Sequence, residues 1–466
     1  MSSFLTAIEV FFIYGLQAII IYVIATIAFD IIHWTLHQFS NSKAAILQQI
    51  GGLHDYHHKF FGENLEFNFQ YSKQNILYHL LPEALSQISI TLLFLFWFPV
   101  APVLIILGLF VIRFIVCSIS EGKDSNHKTL SSIKNPHLST FVGVDYHSLH
   151  HKVPNKFFSS FFPIFDWIMG TAIDLKGKRI VLTGASGALG GPLKVLLEKE
   201  GAIVTPLKFG MDWNYQDYSK LETLFKNQDI LILSHGSKFE NAQEANSDSF
   251  VTMIELFRSL NKTNEFPLEV WAVGSEIELH PAFGNKKLQV YLNSKRSFAK
   301  HAWNYYWDKS FIYRHICPSS FKSQMGPGLI SGTTAAKIML FFIKRGFTYV
   351  PVTYTGFAFL NYFKFYFHRL AKFKKYIFSY GKVGVIAFVA THITKTLIAI
   401  PLYYFAAKQK DKTLLTIALV VHQGPWDFLA GYLAIQIKIL FTGKKKTTPP
   451  QKTQPDDSKR ALNSFY

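Results

Sequence analysis

Eleven of the 18 histidines fall within the first 151 residues, and eight of these stand in three boxes. His33 and His37 are spaced i, i+4, so a helix sets both on one face. His54, His57 and His58 form HDYHH, and His147, His150 and His151 form HSLHH, so the spacing H-x-x-H-H occurs twice. Imidazole suits iron, zinc or copper, and eight nitrogens suffice for two ions with positions left open for oxygen or a substrate. A second constellation lies downstream. KRIVLTGASGALGG (178–191) places Gly184, Ser186, Gly187 and Gly190 between an apolar strand and a helical run. Such glycines permit a tight turn and let a pyrophosphate approach a helix N-terminus. Tyr291 and Lys295 lie one helical turn apart in Tyr291-Leu292-Asn293-Ser294-Lys295. A nearby ammonium favours phenolate, which predicts a tyrosine pKa lowered towards acid–base use. Ser275 ends an apolar run 16 residues before Tyr291 and is placed to hold a substrate oxygen.

The histidine boxes need elements that bring them together. Residues 8–32 form a 25-residue apolar run with charges only near its ends, long enough to cross a bilayer as a helix. Residues 84–118 are apolar for 35 residues around a Pro-Val-Ala-Pro break at 99–102, which predicts a hairpin of two membrane helices. With that topology all three boxes fall on one membrane face. Composition agrees: charged residues make up 17%, against roughly 25% in globular proteins, and there are 45 Phe and 22 Tyr. The net charge of +18 then suits anionic lipid. A nucleic-acid partner is not expected, since no groove-fitting module accompanies the basic residues. Cys117 and Cys317 stand alone in different segments and imply neither a disulfide framework nor a cysteine zinc site. A signal peptide is not expected, because the first residues lack a basic region.

From residue 176 the character changes. KRIVLTG (178–184), AIVTPLKF (202–209), DILILSHG (229–236), LEVWAVGS (268–275) and FIYRHICP (311–318) read as strands alternating with helical stretches. That alternation predicts a parallel sheet covered by helices on both faces. From 336 the chain is apolar again, with an aromatic and basic stretch over 345–382 suited to a bilayer interface and possible spans at 383–407 and 413–441. The tail from Gly443 is basic and proline-containing, which predicts disorder. The expected architecture is multi-domain: an α-helical membrane histidine-box domain at 1–175, an α/β Rossmann-type domain at 176–335, a helical membrane-associated region at 336–442 and a tail at 443–466.

The boxes resemble those of the fatty acid hydroxylase/sterol desaturase superfamily of membrane non-haem di-iron oxygenases. NKFFSSFFPIFDWIMGT (155–171) looks like that family's closing segment, and YHSLHH is similar to the last box of plant wax-alkane proteins in it. The resemblance implies two iron ions held by His33, His37, His54, His57, His58, His147, His150 and His151. His127, in DSNHK, is the nearest candidate for the family's further histidine. His79 and His137 are expected to be interfacial or core residues. Residues 176–335 resemble the short-chain dehydrogenase/reductase family. TGASGALG fits the GxxGxxG variant of its glycine loop, LSHG (233–236) with Gly236 takes the place of its NNAG segment, and Asp217 that of its adenine-side aspartate. By this resemblance Tyr291 is the acid/base, Lys295 binds the ribose and assists Tyr291, Ser275 polarises the reacting oxygen and Asn246 is a fourth member. Lys208 follows the second strand where an acidic residue would select NAD, so NADP is favoured and NAD remains possible.

The order of the two domains resembles a group of bifunctional sterol desaturase/short-chain dehydrogenases known mainly from cyanobacteria. It implies an integral membrane enzyme of lipid metabolism, with boxes and reductase on the cytoplasmic face. One site would hydroxylate or desaturate a lipid and the other interconvert an alcohol and a carbonyl. A ferredoxin- or cytochrome b5-like donor would supply the iron site with electrons. The alternative is that only one site is active, the other serving as a cofactor-sensing or scaffolding domain.

Overall fold

The computed structural model describes residues 2–62, 64–238, 241–261, 266–279, 286–378 and 382–409. The chain divides into two compact units, Met1–Phe365 and Tyr366–Tyr466. In the first unit α1 (Ser2–Ser40) carries His33 and His37, and α2 (Ala45–Phe60) carries HDYHH. A short α3 (Ser72–Asn75) passes through a π-helical turn, Ile76–Leu80, into α4 (Leu81–Leu93). Pro99 stops the chain before α5 (Val100–Ile119), as expected from the proline break. Among the described residues three helical stretches are long and apolar enough to cross a membrane: Phe12–Ser40, Phe69–Phe96 and Val100–Ile119. They pack around Ile21, Ala25, Val103, Ile106 and Phe110, while Leu16, Leu104, Ile112 and Ile119 point outward, exposed.

HSLHH sits on α6 (Val144–Lys152), which is followed by α7 (Ile164–Met169). The Asp166 carboxylate on α7 explains the Asn-to-Thr closing segment. It accepts from the Tyr146 hydroxyl at 2.7 Å and from the backbone N–H of Phe158 and Ser159 at 3.0 and 2.8 Å, so it fixes the box helix against the loop. Asn135, just before α6, donates to the Phe311 carbonyl at 3.0 Å and ties this region to the sheet.

The sheet begins with β1 (Arg179–Thr183), α8 (Gly190–Lys199) and β2 (Ile203–Leu207). It continues through α9 (Leu221–Phe225), β3 (Ile230–Leu233), α10 (Ser249–Leu260), β4 (Glu269–Val273), α11 (Lys286–Tyr306) and β5 (Ile312–Pro318). A two-stranded parallel pair, β6 (Phe321–Lys322) and β7 (Ile330–Ser331), leads to α12 (Gly332–Lys344) and β8 (Tyr349–Val352). The main sheet is parallel, in the order β2-β1-β3-β4-β5-β8. One face packs Phe250, Phe257 and Phe298, and the other Ile180, Leu193 and Met339. The order reverses at β1, so a crevice opens at the carboxyl ends of β1 and β3, where such sheets bind ligands.

Two expectations change. The sheet does not end at 335: β8 is its sixth strand, so residues 349–352 belong to it and not to an interfacial stretch. The run YVPV is short and holds Pro351, a residue tolerated at a sheet edge, and gave little periodicity to read. Among the described residues no strand lies outside β2, which is a true edge, and its Pro206 is accommodated for the same reason. Beyond β8 come α13 (Phe357–Phe378) and α14 (Lys382–Gln409), the latter with Pro401 inside it. α14 covers the expected span at 383–407 but is not among the three stretches apolar enough to cross. The expected span at 413–441 and the tail from 443 lie outside the described residues.

Candidate functional site

The structure gathers nine of the histidines into two groups. His33, His37, His54, His58 and His150 form one, and His57, His127, His147 and His151 the other, with one nitrogen of each within 4.8 Å of its group. Every box therefore contributes, and HSLHH is shared between the groups. All nine are buried except His58, which is half-buried.

Hydrogen bonding fixes which nitrogens point inward. Asn75 donates to the Gly122 carbonyl at 3.0 Å, which turns its Oδ1 towards His57 Nδ1 at 2.9 Å. Asp124 Oδ1 faces His127 Nδ1 at 2.6 Å, and the Lys156 carbonyl faces His150 Nδ1 at 2.8 Å. Each Nδ1 thus carries the proton and each Nε2 a lone pair. His127 Nε2 nevertheless lies 3.1 Å from His147 Nε2 and 3.2 Å from His151 Nε2, and these last two are 3.2 Å apart. The Nε2 atoms of His33, His54, His57 and His150 are buried with no hydrogen-bond partner. Converging lone pairs without donors are costly unless a cation sits among them, so these residues fit metal ions.

Protonation agrees. Burial, then neighbouring imidazoles, pushes His54, His57, His58, His147 and His151 well below the usual histidine range. Burial pushes His150 down to about 4. Neutral rings are what a metal requires. Behind His127 runs a charged chain in which Asp124 lies 3.6 Å from Arg113, and Arg113 pairs with Glu83 on α4. Burial opposes the Asp124 charge, but His127 and Arg113 outweigh it and hold the carboxyl well below its usual range.

His79 is buried, as a core histidine would be, and stacks on His57 with ring centroids 3.6 Å apart, within the π-helical turn. Such turns frequently mark functional sites. Its one sequence signal was the acidic Glu83 four residues on, in an otherwise apolar run. His137 lines a different cavity.

The second site is a cleft of about 1190 Å³ at the ends of β1, β3 and β4. Gly184, Ser186, Gly187, Lys208, Gly236, Asn246, Ser275, Tyr291 and Lys295 all line it. Gly184 takes a φ of +68°, and a side chain there would collide with the Ser234–His235 backbone at 2.8 Å. Gly190 does not line the cleft. Its Cβ would lie 2.1 Å from the Gly184 carbonyl oxygen, so its role is close helix–strand packing. A Cβ at Gly187 would meet only the Gly184 oxygen, at 3.2 Å, and would otherwise project into the cradle at the start of α8. That open cradle fits a dinucleotide pyrophosphate.

The residues expected to react are held from behind. Ser275 caps the 3-10 turn Glu276–Glu278: its N–H donates to Glu278 Oε1 at 3.0 Å and its hydroxyl accepts from the Ile277 N–H at 3.3 Å. Tyr291 is hydrogen-bonded to Ser275. Lys295 donates to the Val273 carbonyl at 2.8 Å, and burial pushes it down to about 8. Asn246, in a π-helical turn, donates to the Ser237 carbonyl at 2.6 Å and the Ser294 hydroxyl at 3.0 Å. The expected lowering of Tyr291 is not found: burial pushes it up to about 12, outweighing the Ser275 hydrogen bond.

Asp217 also departs from expectation. It is fully exposed, accepts from the Ser219 N–H at 2.9 Å and does not line the cleft. Sequence reasoning missed Trp213, His235 and Glu276, all in the cleft wall. Trp213 and His235 pack edge to face, and His235 bridges Thr183 and Ser249 at 2.7 and 3.0 Å. Glu276 accepts from Ser319 at 2.7 Å, Thr355 at 2.8 Å and the Ala358 N–H at 3.0 Å. The S-x-x-E capping box at Ser275 and Glu278 was a readable signal for this turn.

No family model matches the sequence. A monoglucosyldiacylglycerol epimerase from Synechocystis sp. is 26% identical, over 67% of this chain and 88% of that protein. A short-chain dehydrogenase from Burkholderia cenocepacia in complex with NADP is 17% identical over 39% of this chain and 91% of its own, with a TM-score of 0.34. One from Sphingobium yanoikuyae in complex with NADPH is 13% identical over 42% and 95%, also with a TM-score of 0.34. With the cleft geometry, the relative supports an enzyme of the oxidoreductase class with a Rossmann-like domain.

Proposed function

We propose that this chain is a membrane-bound, lipid-modifying oxidoreductase with two reaction sites. One site carries out NADP(H)-linked alcohol–carbonyl interconversion, with NAD possible. The other carries out iron- and O2-dependent hydroxylation or desaturation. The observation that carries the reading is that the two imidazole groups and the Ser275–Tyr291–Lys295 cleft belong to one compact unit whose helices are apolar enough for a bilayer.

In the cleft, Gly184, Ser186, Gly187 and Lys208 would hold the dinucleotide, which supplies hydride transfer when bound. Ser275 then hydrogen-bonds the substrate oxygen. Tyr291 takes the hydroxyl proton as the carbonyl forms and returns it in the reverse direction. Lys295, fixed on Val273, places a positive charge where it favours the tyrosinate.

In the helical region, the nine grouped histidines would hold two iron ions, which supply oxygen activation when bound. Asn75, Asp124 and the Lys156 carbonyl keep His57, His127 and His150 turned inward. We place both sites on the cytoplasmic face, with a ferredoxin- or cytochrome b5-like carrier supplying single electrons.

The name of the Synechocystis relative favours a second reading of the cleft: epimerisation of a sugar hydroxyl on a glycolipid, with the hydride returned to the same carbon and no net redox change. Purified protein incubated with NADP+ and a monoglycosyldiacylglycerol deuterated at the sugar carbinol carbons separates the two. Net interconversion leaves a ketone and deuterated NADPH, whereas epimerisation inverts the sugar, returns the deuterium to it and leaves no net reduced cofactor. If neither occurs with any membrane lipid extract, the reductase reading fails. Parallel incubation with ¹⁸O2 and the electron donor should yield a labelled hydroxyl or a new double bond, and absence of both refutes the oxygenase half.

A further inference from the structure

A third cavity, of about 300 Å³, lies between the segment 136–172 and the edge of the sheet at β8. Neither reaction site uses it. Its wall is mostly aromatic, and the polar tips of its tyrosines are satisfied elsewhere. The Tyr146 hydroxyl donates to Asp166 at 2.7 Å, the Tyr349 hydroxyl donates to the Ala358 carbonyl at 2.7 Å, and the Tyr306 hydroxyl accepts from Thr348 at 3.0 Å. What faces the space is thus largely ring and methyl surface, with His137, Ser139 and Tyr362 as the remaining polar groups, and the ligand it suits is largely apolar.

The rim carries the identity of that ligand. Phe141, Trp167, Phe347 and Phe359 line the cavity and are 52%, 39%, 38% and 56% exposed. Beside Trp167 on α7, Ile168 and Met169 are exposed too. α7 packs on α1 through Phe165 and Trp34, where α1 shows exposed Ile31 and Ile32 near the end of its candidate membrane span. The mouth of the cavity is thus continuous with the surface that would meet lipid, and an aromatic rim suits the bilayer interface.

We propose that this cavity takes up the hydrocarbon chain of a membrane lipid, anchoring it beside the sheet. The inference rests on the membrane placement proposed above.

The full chain in bilayer discs of phosphatidylcholine, doped with phosphatidylcholine carrying a diazirine at the end of one acyl chain, tests it. After illumination, peptides are mapped by mass spectrometry. Label is expected on α1 and α5, from bulk lipid, and also on the cavity peptides containing Val142, Trp167 and Phe347. Val142→Trp fills the cavity from the inside, and Ser139→Trp fills it from the exposed rim. Either should lower cavity labelling about tenfold, as expected when about two methylenes are displaced, while label on α1 is unchanged. NADP binding and iron content report whether each variant has folded, and the rim variant covers a failure of the inner one. Label on α1 and α5 but not in the cavity overturns this proposal and leaves the membrane reading intact. Label absent from α1 and α5 overturns the membrane reading. Cavity labelling unchanged in both folded variants also overturns the proposal.

Discussion

The two sites in the first unit are built on opposite principles. In the cleft, each reacting group is held by the protein: Ser275 by Glu278, Lys295 by Val273 and Asn246 by Ser237 and Ser294. In the helical region, Nε2 atoms crowd together at 3.1–3.2 Å, and those of His57 and His150, whose Nδ1 atoms are hydrogen-bonded, are buried with no partner. The cleft is organised before its ligand arrives. The imidazole groups instead present unpartnered nitrogens that a metal ion could complete. Burial acts on both, making the histidines neutral and lowering Lys295, but only the histidine groups offer the donor set of a metal site.

The contrast can be broken in several places. The largest effect is expected for His150→Ala, which removes a ligand supported by the Lys156 carbonyl. Oxygen-dependent product should fall to background, and iron measured by mass spectrometry should drop from about two to about one per chain. NADP(H)-linked turnover should persist. Tyr291→Phe is the mirror test: NADP(H)-linked turnover falls about 10²- to 10⁴-fold, while iron content is unchanged. Loss of iron in that variant would mean that the sites are not independent.

Asp124→Asn keeps the shape but removes the charge facing His127. Iron affinity, read by competition with a chelator, should weaken about 10- to 100-fold, with the dinucleotide affinity unaltered. An unaltered iron affinity would show that the Glu83–Arg113–Asp124 chain is only structural. The smallest effect concerns pH. Lys295 has a folded pKa of about 8, below the ordinary value of 10.5 expected in the unfolded chain. The native state therefore sheds its proton first, and stability rises as pH climbs from about 8 to 10.5. If the ammonium holds the dinucleotide ribose, NADP affinity falls about tenfold between pH 7 and 9, and Lys295→Met gives a flat profile.

Much of this organisation was legible, for identifiable reasons. The first five parallel strands are apolar runs bounded by glycines or charges, and H-x-x-H-H is too regular to be scattered surface. His127 was readable only through a family resemblance, yet the fold brings it to His147 and His151. His79 was read as an interfacial or core histidine, which its burial fits, but its stacking on His57 was not legible, because a lone histidine in an apolar run shows no periodic partner. β8 escaped because four residues with a proline give no alternation. Asp217 lies exposed and away from the cleft, and nothing in the spacing of its segment could have shown that. The Tyr291 pKa was misjudged because burial, which outweighs a neighbouring charge here, cannot be read from spacing.

The hydrogen bond from Asn135 to the Phe311 carbonyl joins residues 176 positions apart. On a ribosome adding 5–20 residues per second, that partner emerges roughly 10–35 s after Asn135 does. Until then the helix bearing HSLHH lacks its brace from the sheet. Iron delivered during synthesis would meet a histidine region still free to open, and iron delivered afterwards one closed against β5. On the proposed metal reading, the order of translation bears on when the site could be filled, and a chain released early would lack this brace on its last box.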